Sequence, residues 1–175
     1  MSAGPRIAFS TLAFPDASLA RAGHEPARTA QLQAAARVLE ASVPAAARLG
    51  VAIGVETHDA FCSSSVLAEL LALAASPWVG AVWDSHHPHR VGEQPAEVFA
   101  NIGPRVLLAQ VKDAVKGPER DAEWRLVLLG EGEVRVQEML RLLTEHGYSG
   151  WVSVEWEKRC TQRDRGAGGC SPPAP

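Results

Sequence analysis

Several protein classes are argued against by what this chain has little of. It carries three cysteines, Cys62, Cys160 and Cys170, an odd number with no C-x-x-C pair. That argues against a disulfide framework or a zinc ribbon, and reduced thiols in a cytoplasmic protein are the expectation. No stretch approaches the ~18 consecutive apolar residues of a membrane span. The first residues, Met1-Ser-Ala-Gly-Pro5, lack the charged region and apolar core of a signal peptide. Seventeen Lys and Arg stand against 20 Asp and Glu, scattered without a basic run, for a net charge of −3. Neither nucleic acid nor a membrane surface is therefore an expected partner.

What remains is a composition ordinary for one globular domain: 175 residues, 46% hydrophobic and 21% charged, enough chain to bury a core. Its most informative feature is a repetition. Four short apolar runs each stop at a side chain able to hold a cation. Val51-Ala-Ile-Gly-Val ends in Glu56, Val79-Gly-Ala-Val-Trp in Asp84, Val106-Leu-Leu-Ala in Gln110, and Trp151-Val-Ser-Val in Glu155. Runs this short and this rich in Val and Ile read as buried parallel strands. Successive end residues are 28, 26 and 45 positions apart, and the first two spacings match a strand–helix–strand unit of ~30 residues. Repeated units of that kind build a parallel α/β sheet, barrel or doubly wound. Strand C-terminal ends then share one face, where active sites form.

Between the runs, Arg6 to Ser10 reads as a further strand and residues 20–27 as a loop. An Ala- and Leu-rich helix follows over 28–49, with a kink or restart expected at Ser42 and Pro44. Helices are expected over 64–75, 95–101 and 134–146, the last closed by Gly147. A short strand is expected at 125–129, followed by a turn at Gly130-Glu-Gly-Glu133. Residues 160–175, heavy in Gly and Pro, read as a disordered tail.

A carboxylate ending a buried run is costly unless it is paired or metal-bound. Glu56 and Asp84 are therefore candidate ligands, with a salt bridge at the rim as the bland alternative for Glu56. The carbonyl oxygen of Gln110 suits Mg²⁺ or Mn²⁺; the alternative is a buried amide bonded to backbone. Glu155 shares one side of an extended strand with Glu157, and Trp156 points to the other as expected core. His87, three residues past Asp84, reads as a substrate or outer-sphere group. His86, His87 and His89 are too close in sequence to make a zinc site by themselves. Lys112 and Asp113 could hold a polar substrate group or form a plain salt bridge. Two carboxylates flanking a metal-held hydroxy-carbonyl unit can shuttle a proton, which is the chemistry of aldose–ketose isomerisation or epimerisation.

Taken together, Glu56-Thr-His58, Trp83-Asp84-Ser-His-His87, Gln110-Val-Lys112-Asp113, Gly130-Glu-Gly-Glu133 and Gly147-Tyr-Ser-Gly-Trp-Val-Ser-Val-Glu155-Trp-Glu-Lys158 resemble the xylose-isomerase-like TIM-barrel superfamily. The superfamily includes sugar-phosphate isomerases and epimerases, inosose dehydratases and endonuclease-IV-type nucleases. The resemblance implies a divalent metal, Mn²⁺, Mg²⁺ or Co²⁺, on Glu56, Asp84, Gln110 and Glu155. It implies Glu56 and Glu155 as the acid/base pair, with His58, His87, Lys112 and Asp113 toward a small sugar or polyol substrate. Many members carry His where this chain has Gln110; hydroxypyruvate-isomerase-like members resemble it in using Gln.

A full eight-stranded barrel takes ~250 residues, so an incomplete barrel is expected, with strands equivalent to one and five to eight. Strands two to four would be missing near 22–27, and the domain would span 1–159. The expected strand order is five-six-seven-eight-one, because strand one neighbours strand eight in a closed barrel. Such a sheet has two open edges, and completion by a second copy as a homodimer is one alternative. A dehydratase on the same scaffold, or an inactive truncated remnant, are the others for function.

Overall fold

The computed structural model describes residues 6–9, 25–118 and 123–156. Residues 22–24 of the junction expected at 22–27, the tail at 160–175, Glu157 and Lys158 lie outside them. The described residues form seven strands and five α-helices: β1 (Arg6–Phe9), α1 (Glu25–Leu49), β2 (Val51–Glu56), α2 (Ser64–Leu73), β3 (Val79–Asp84), α3 (His86–Arg90), α4 (Pro95–Ile102), β4 (Val106–Val111), β5 (Asp113–Lys116), β6 (Trp124–Val127), α5 (Val136–Glu145) and β7 (Trp151–Val154). No helix among them is long and apolar enough to cross a membrane.

β1, β2, β3, β4 and β7 pair in that order, all parallel. The result is an α/β sheet that is an incomplete barrel, open at β1 and β7 among the described residues. The order corrects one expectation: β1 lies beside β2, with Arg6 opposite Val51 and Phe9 opposite Gly54, and not beside the last strand. The physical reason is connectivity. Among the described residues α1 is the one helix between β1 and β2, and a strand–helix–strand unit sets its two parallel strands together.

The helices form a row, α1 against α2, α2 against α4 and α4 against α5, with α1 on β2 and α2 on β3. The core lies between this row and the sheet. Leu39, Leu67, Leu70, Ile102, Met139 and Leu143 meet Val55, Val79, Ala81 and Trp83 there. The alternate strand positions Ala52, Val82 and Leu108 are also buried, and by the period-two rule they line the opposite face, the face of Glu56, Asp84 and Gln110. Gly80 permits the tight fit of β3, because a Cβ there would come 2.5 Å from the Arg105 carbonyl oxygen.

Helix ends are held by side chains from elsewhere in the chain. The Glu93 carboxylate accepts from Ser64 N at 3.0 Å and from Ser63 Oγ at 2.7 Å, placing negative charge at the start of α2. The Arg105 guanidinium donates to the carbonyls of Ser76 and Val79 at 3.1 and 2.6 Å, fixing the turn between α2 and β3.

Other expectations shift at the margins. α1 starts at Glu25, so residues 25–27 are helical; a proline in the first turn lacks only an N–H that would have no partner there. The helix also runs through Pro44 as one element without a restart, carried by its alanine-rich sequence. His86–Arg90, where no helix was expected, is a short helix, and β5 pairs antiparallel with β6. Gly147 does cap α5, at φ +75°. Trp156, expected in the core, is 50% exposed because no further strand covers the β7 edge among the described residues.

Candidate metal centre

Backbone register brings the strand ends together. Asp84 pairs with Gln110 across β3 and β4. Glu155, one residue past β7, donates its N–H to the Val111 carbonyl at 3.0 Å. Two hydroxyls lock the spacing. Thr57 Oγ1 accepts from Asp84 N at 3.0 Å. Ser85 Oγ accepts from Lys112 N at 3.0 Å and donates to the Lys112 carbonyl at 2.9 Å. Both are buried, and each tethers the end of the next strand. Neither was singled out from sequence. The available signal was position: a hydroxyl residue directly follows the carboxylate at Glu56-Thr57 and again at Asp84-Ser85.

Glu56, Asp84 and His87 each present a ligand atom, and these atoms lie within 4.8 Å of one another. Asp84 is completely buried. Its Oδ1 accepts from the backbone N–H of His86 and His87 at 2.7 and 3.2 Å, which fixes the carboxylate on the first turn of α3 and leaves Oδ2 for the site. Oδ2 forms an ion pair with Lys112 Nζ at 3.2 Å. The same ammonium donates to Glu155 Oε2 at 3.1 Å and to His87 Nε2 at 3.1 Å. Glu155 thus joins the cluster through Lys112.

Burial pushes the His87 imidazole down to about 2, and the Lys112 ammonium and His58 add to the shift. The ring is neutral near pH 7, as a metal-ligating histidine must be. Burial alone would push Lys112 down as well. The Asp84 and Glu155 carboxylates outweigh it, and its pKa is raised.

The donor set fits a divalent cation. Two carboxylates and a neutral imidazole are a conventional mixed set for Mn²⁺, Co²⁺ or Zn²⁺. The carbonyl oxygen of Gln110 is buried without a hydrogen-bond partner among the described residues. The bland reading of Gln110 as an amide bonded to backbone does not hold for that oxygen, and an orphaned acceptor beside Asp84 is what a cation would satisfy.

The remaining expected residues divide. His58 sits at the rim, its ring edge-on to His87 with centroids 4.2 Å apart, and its Nδ1 3.0 Å from Asp59 Oδ2. Asp113 has a different duty from the substrate contact expected of it. Its Oδ1 accepts from Ala114 N and Val134 N at 2.9 and 3.0 Å, and its Oδ2 from Gly130 N and Gly132 N, both at 2.9 Å. Four backbone donors on one buried carboxylate make it the clamp of the 130–134 turn. The glycines follow from that. Gly130 is at φ +91°, and a Cβ on Gly132 would lie 2.0 Å from Asp113 Oδ1. His86 and His89 are not members of the group that contains His87. Both stack edge-on against Trp124, at 5.1 and 5.3 Å.

Comparison with known proteins places this arrangement. No curated protein matches the chain. A xylose isomerase domain protein from Planctomyces limnophilus superposes with a TM-score of 0.66 at 23% identity, over 86% of this chain and 52% of that one. A probable 3-DHS dehydratase, AsbF, from Bacillus anthracis gives 0.60 at 19% identity, over 69% and 48%. A xylose isomerase-like TIM barrel protein from Mycobacterium smegmatis, solved in complex with magnesium, gives 0.60 at 20%, over 72% and 44%. At these identities the likeness is one of fold, and the chain spans about half the length of the structures it matches. The sequence profile of one family, described as xylose isomerase-like TIM barrel, covers residues 9–170. With that match across most of its length and a parallel sheet of the same fold, the chain belongs to the xylose isomerase-like TIM-barrel family.

Proposed function

We propose that the chain is a metal-dependent sugar or sugar-phosphate isomerase or epimerase that moves a proton at the carbon next to a carbonyl. The observation that carries this reading is the convergence of Glu56, Asp84 and His87 within 4.8 Å. Glu56, Asp84 and His87 would hold the ion, with the orphaned Gln110 oxygen and Glu155 completing its surroundings. A divalent ion bound there supplies positive charge beside the substrate's carbonyl and hydroxyl oxygens, which lowers the cost of forming an enediolate.

The rest falls to side chains of this chain. Glu56 and Glu155 are the acid/base pair: one, as a carboxylate, takes the proton from carbon, and the other, as the neutral acid, gives its own proton to the neighbouring carbon in an isomerisation or to the other face of the same carbon in an epimerisation. Glu155 is 23% exposed and tethered by Lys112, so it has both access and a fixed orientation. Lys112 would orient Glu155, and His58, at the rim, would donate to a substrate hydroxyl. Asp113, next to Lys112 in the chain, acts indirectly, by clamping the 130–134 turn.

A dehydratase reading rests on the same abstraction and differs only in the fate of the enolate. The fold shared with the Bacillus anthracis dehydratase supports it. One experiment addresses both. The protein is incubated with Mn²⁺ and a panel of aldoses, ketoses and their phosphates in D₂O. Deuterium entering next to the carbonyl is expected, with an isomer as product, or loss of water if the dehydratase reading holds. Glu155→Gln is expected to abolish incorporation while still melting cooperatively. Incorporation unchanged in Glu155→Gln, or none by the wild type on any compound, would reject the assignment.

A further inference from the structure

The Lys112 ammonium stands where the candidate ligands meet. It is 3% exposed, and its Nζ lies 3.2 Å from Asp84 Oδ2, 3.1 Å from Glu155 Oε2 and 3.1 Å from His87 Nε2. Asp84 and His87 are also members of the three-residue metal group. One positive charge is therefore already held by two of the three residues that a metal would need. An ammonium sits about 3 Å from its acceptors, whereas an ion such as Zn²⁺ or Mn²⁺ draws the same atoms to about 2.0–2.2 Å. The lone pair of His87 Nε2 cannot serve both at once.

We propose that Lys112 is a built-in cation that occupies the metal position, and that a divalent ion enters only as the Lys112 side chain gives up Asp84 and His87 and falls back on Glu155. The proposal rests on the metal reading above and goes beyond it, since it assigns an exchange between two cations to one place. The local charge fits. Glu56, Asp84 and Glu155 crowd three carboxylates together, and a site so built needs a counter-charge in every state. Lys112 supplies it before the ion arrives. After the exchange the ion neutralises Asp84 and Glu56, while the ammonium remains paired with Glu155. The Ser85 hydroxyl, bonded to both the N–H and the carbonyl of Lys112, pins the backbone, so only the side chain has to move.

Two measurements on the full chain test this, with Mn²⁺ alone as the probe. The first follows free Mn²⁺ by electron paramagnetic resonance during titration of wild type and Lys112→Met. A site competent only when the ammonium withdraws has its affinity reduced by the fraction of time it is open, so the variant is expected to bind about tenfold tighter or more. The second uses the wild type alone and therefore survives a misfolded variant. Acetylation of Lys112 by acetic anhydride, read by mass spectrometry, is expected to be slow without metal and to accelerate severalfold at saturating Mn²⁺, as the ammonium is expelled. Equal or weaker binding by Lys112→Met, or acetylation unchanged or slowed by Mn²⁺, overturns the exchange while leaving the metal site standing. If neither protein takes up Mn²⁺ and acetylation stays flat, the metal reading itself fails.

Discussion

β3 and β7 are written in nearly the same way, an apolar run closed by a carboxylate, yet they live in opposite surroundings. Every residue of Val79–Asp84 is buried, whereas every residue of Trp151–Val154 is exposed, Trp151 by 77%. β3 has a strand on either side and helices above it. β7 pairs only with β4 among the described residues. The difference teaches that an apolar run specifies a strand, while burial is conferred by neighbours. It also shows that the centre and the edge contribute differently to one site. Asp84 arrives on a rigid buried strand, and Glu155 arrives from the open edge and depends on the Lys112 tether.

That contrast can be broken by truncation. Trp83→Ala, in the middle of β3, should cost about 3–5 kcal/mol, since its buried side chain leaves a cavity between sheet and helices; a fall in the urea midpoint reports it. Asp113→Ala comes next. It strands four backbone N–H groups, some of which water can reach, and should cost about 1–3 kcal/mol by the same titration. Val154→Ala at the edge should change stability by no more than about 0.5 kcal/mol, because the residue is already 64% exposed. A costly Val154→Ala would mean that the edge is covered in solution, and a harmless Trp83→Ala would mean that the β3 core is not the packed centre described here.

Much of this was legible before the fold was known. The parallel strands at 51–56, 79–84 and 106–111 followed from short Val-rich runs at regular spacing, and their end residues do share one rim. The order of β1 was not legible, because assigning it beside the last strand assumed a closed barrel that the described residues do not form. Trp156 misled for the same reason: alternation says which way a side chain points and not whether anything lies there. At the site, the role of Asp113 was hidden, since nothing in Lys112-Asp113 tells a reader that three amides 17–21 residues later, and its immediate neighbour's, will converge on it. His87 was expected near substrate or in the outer sphere, and the geometry brings it within 4.8 Å of the ligand atoms of Glu56 and Asp84. The first turn of α3, built on Asp84 Oδ1, is what holds it there, and no helix was expected at that turn.

The central claim is that Glu56, Asp84 and His87 grip one divalent ion. Crystals equilibrated with Mn²⁺ and measured for anomalous scattering test it most directly. The account predicts one strong peak bonded to those three side chains, with the Gln110 oxygen turned toward it. No peak there at saturating Mn²⁺, or an ion held by other residues, would contradict it.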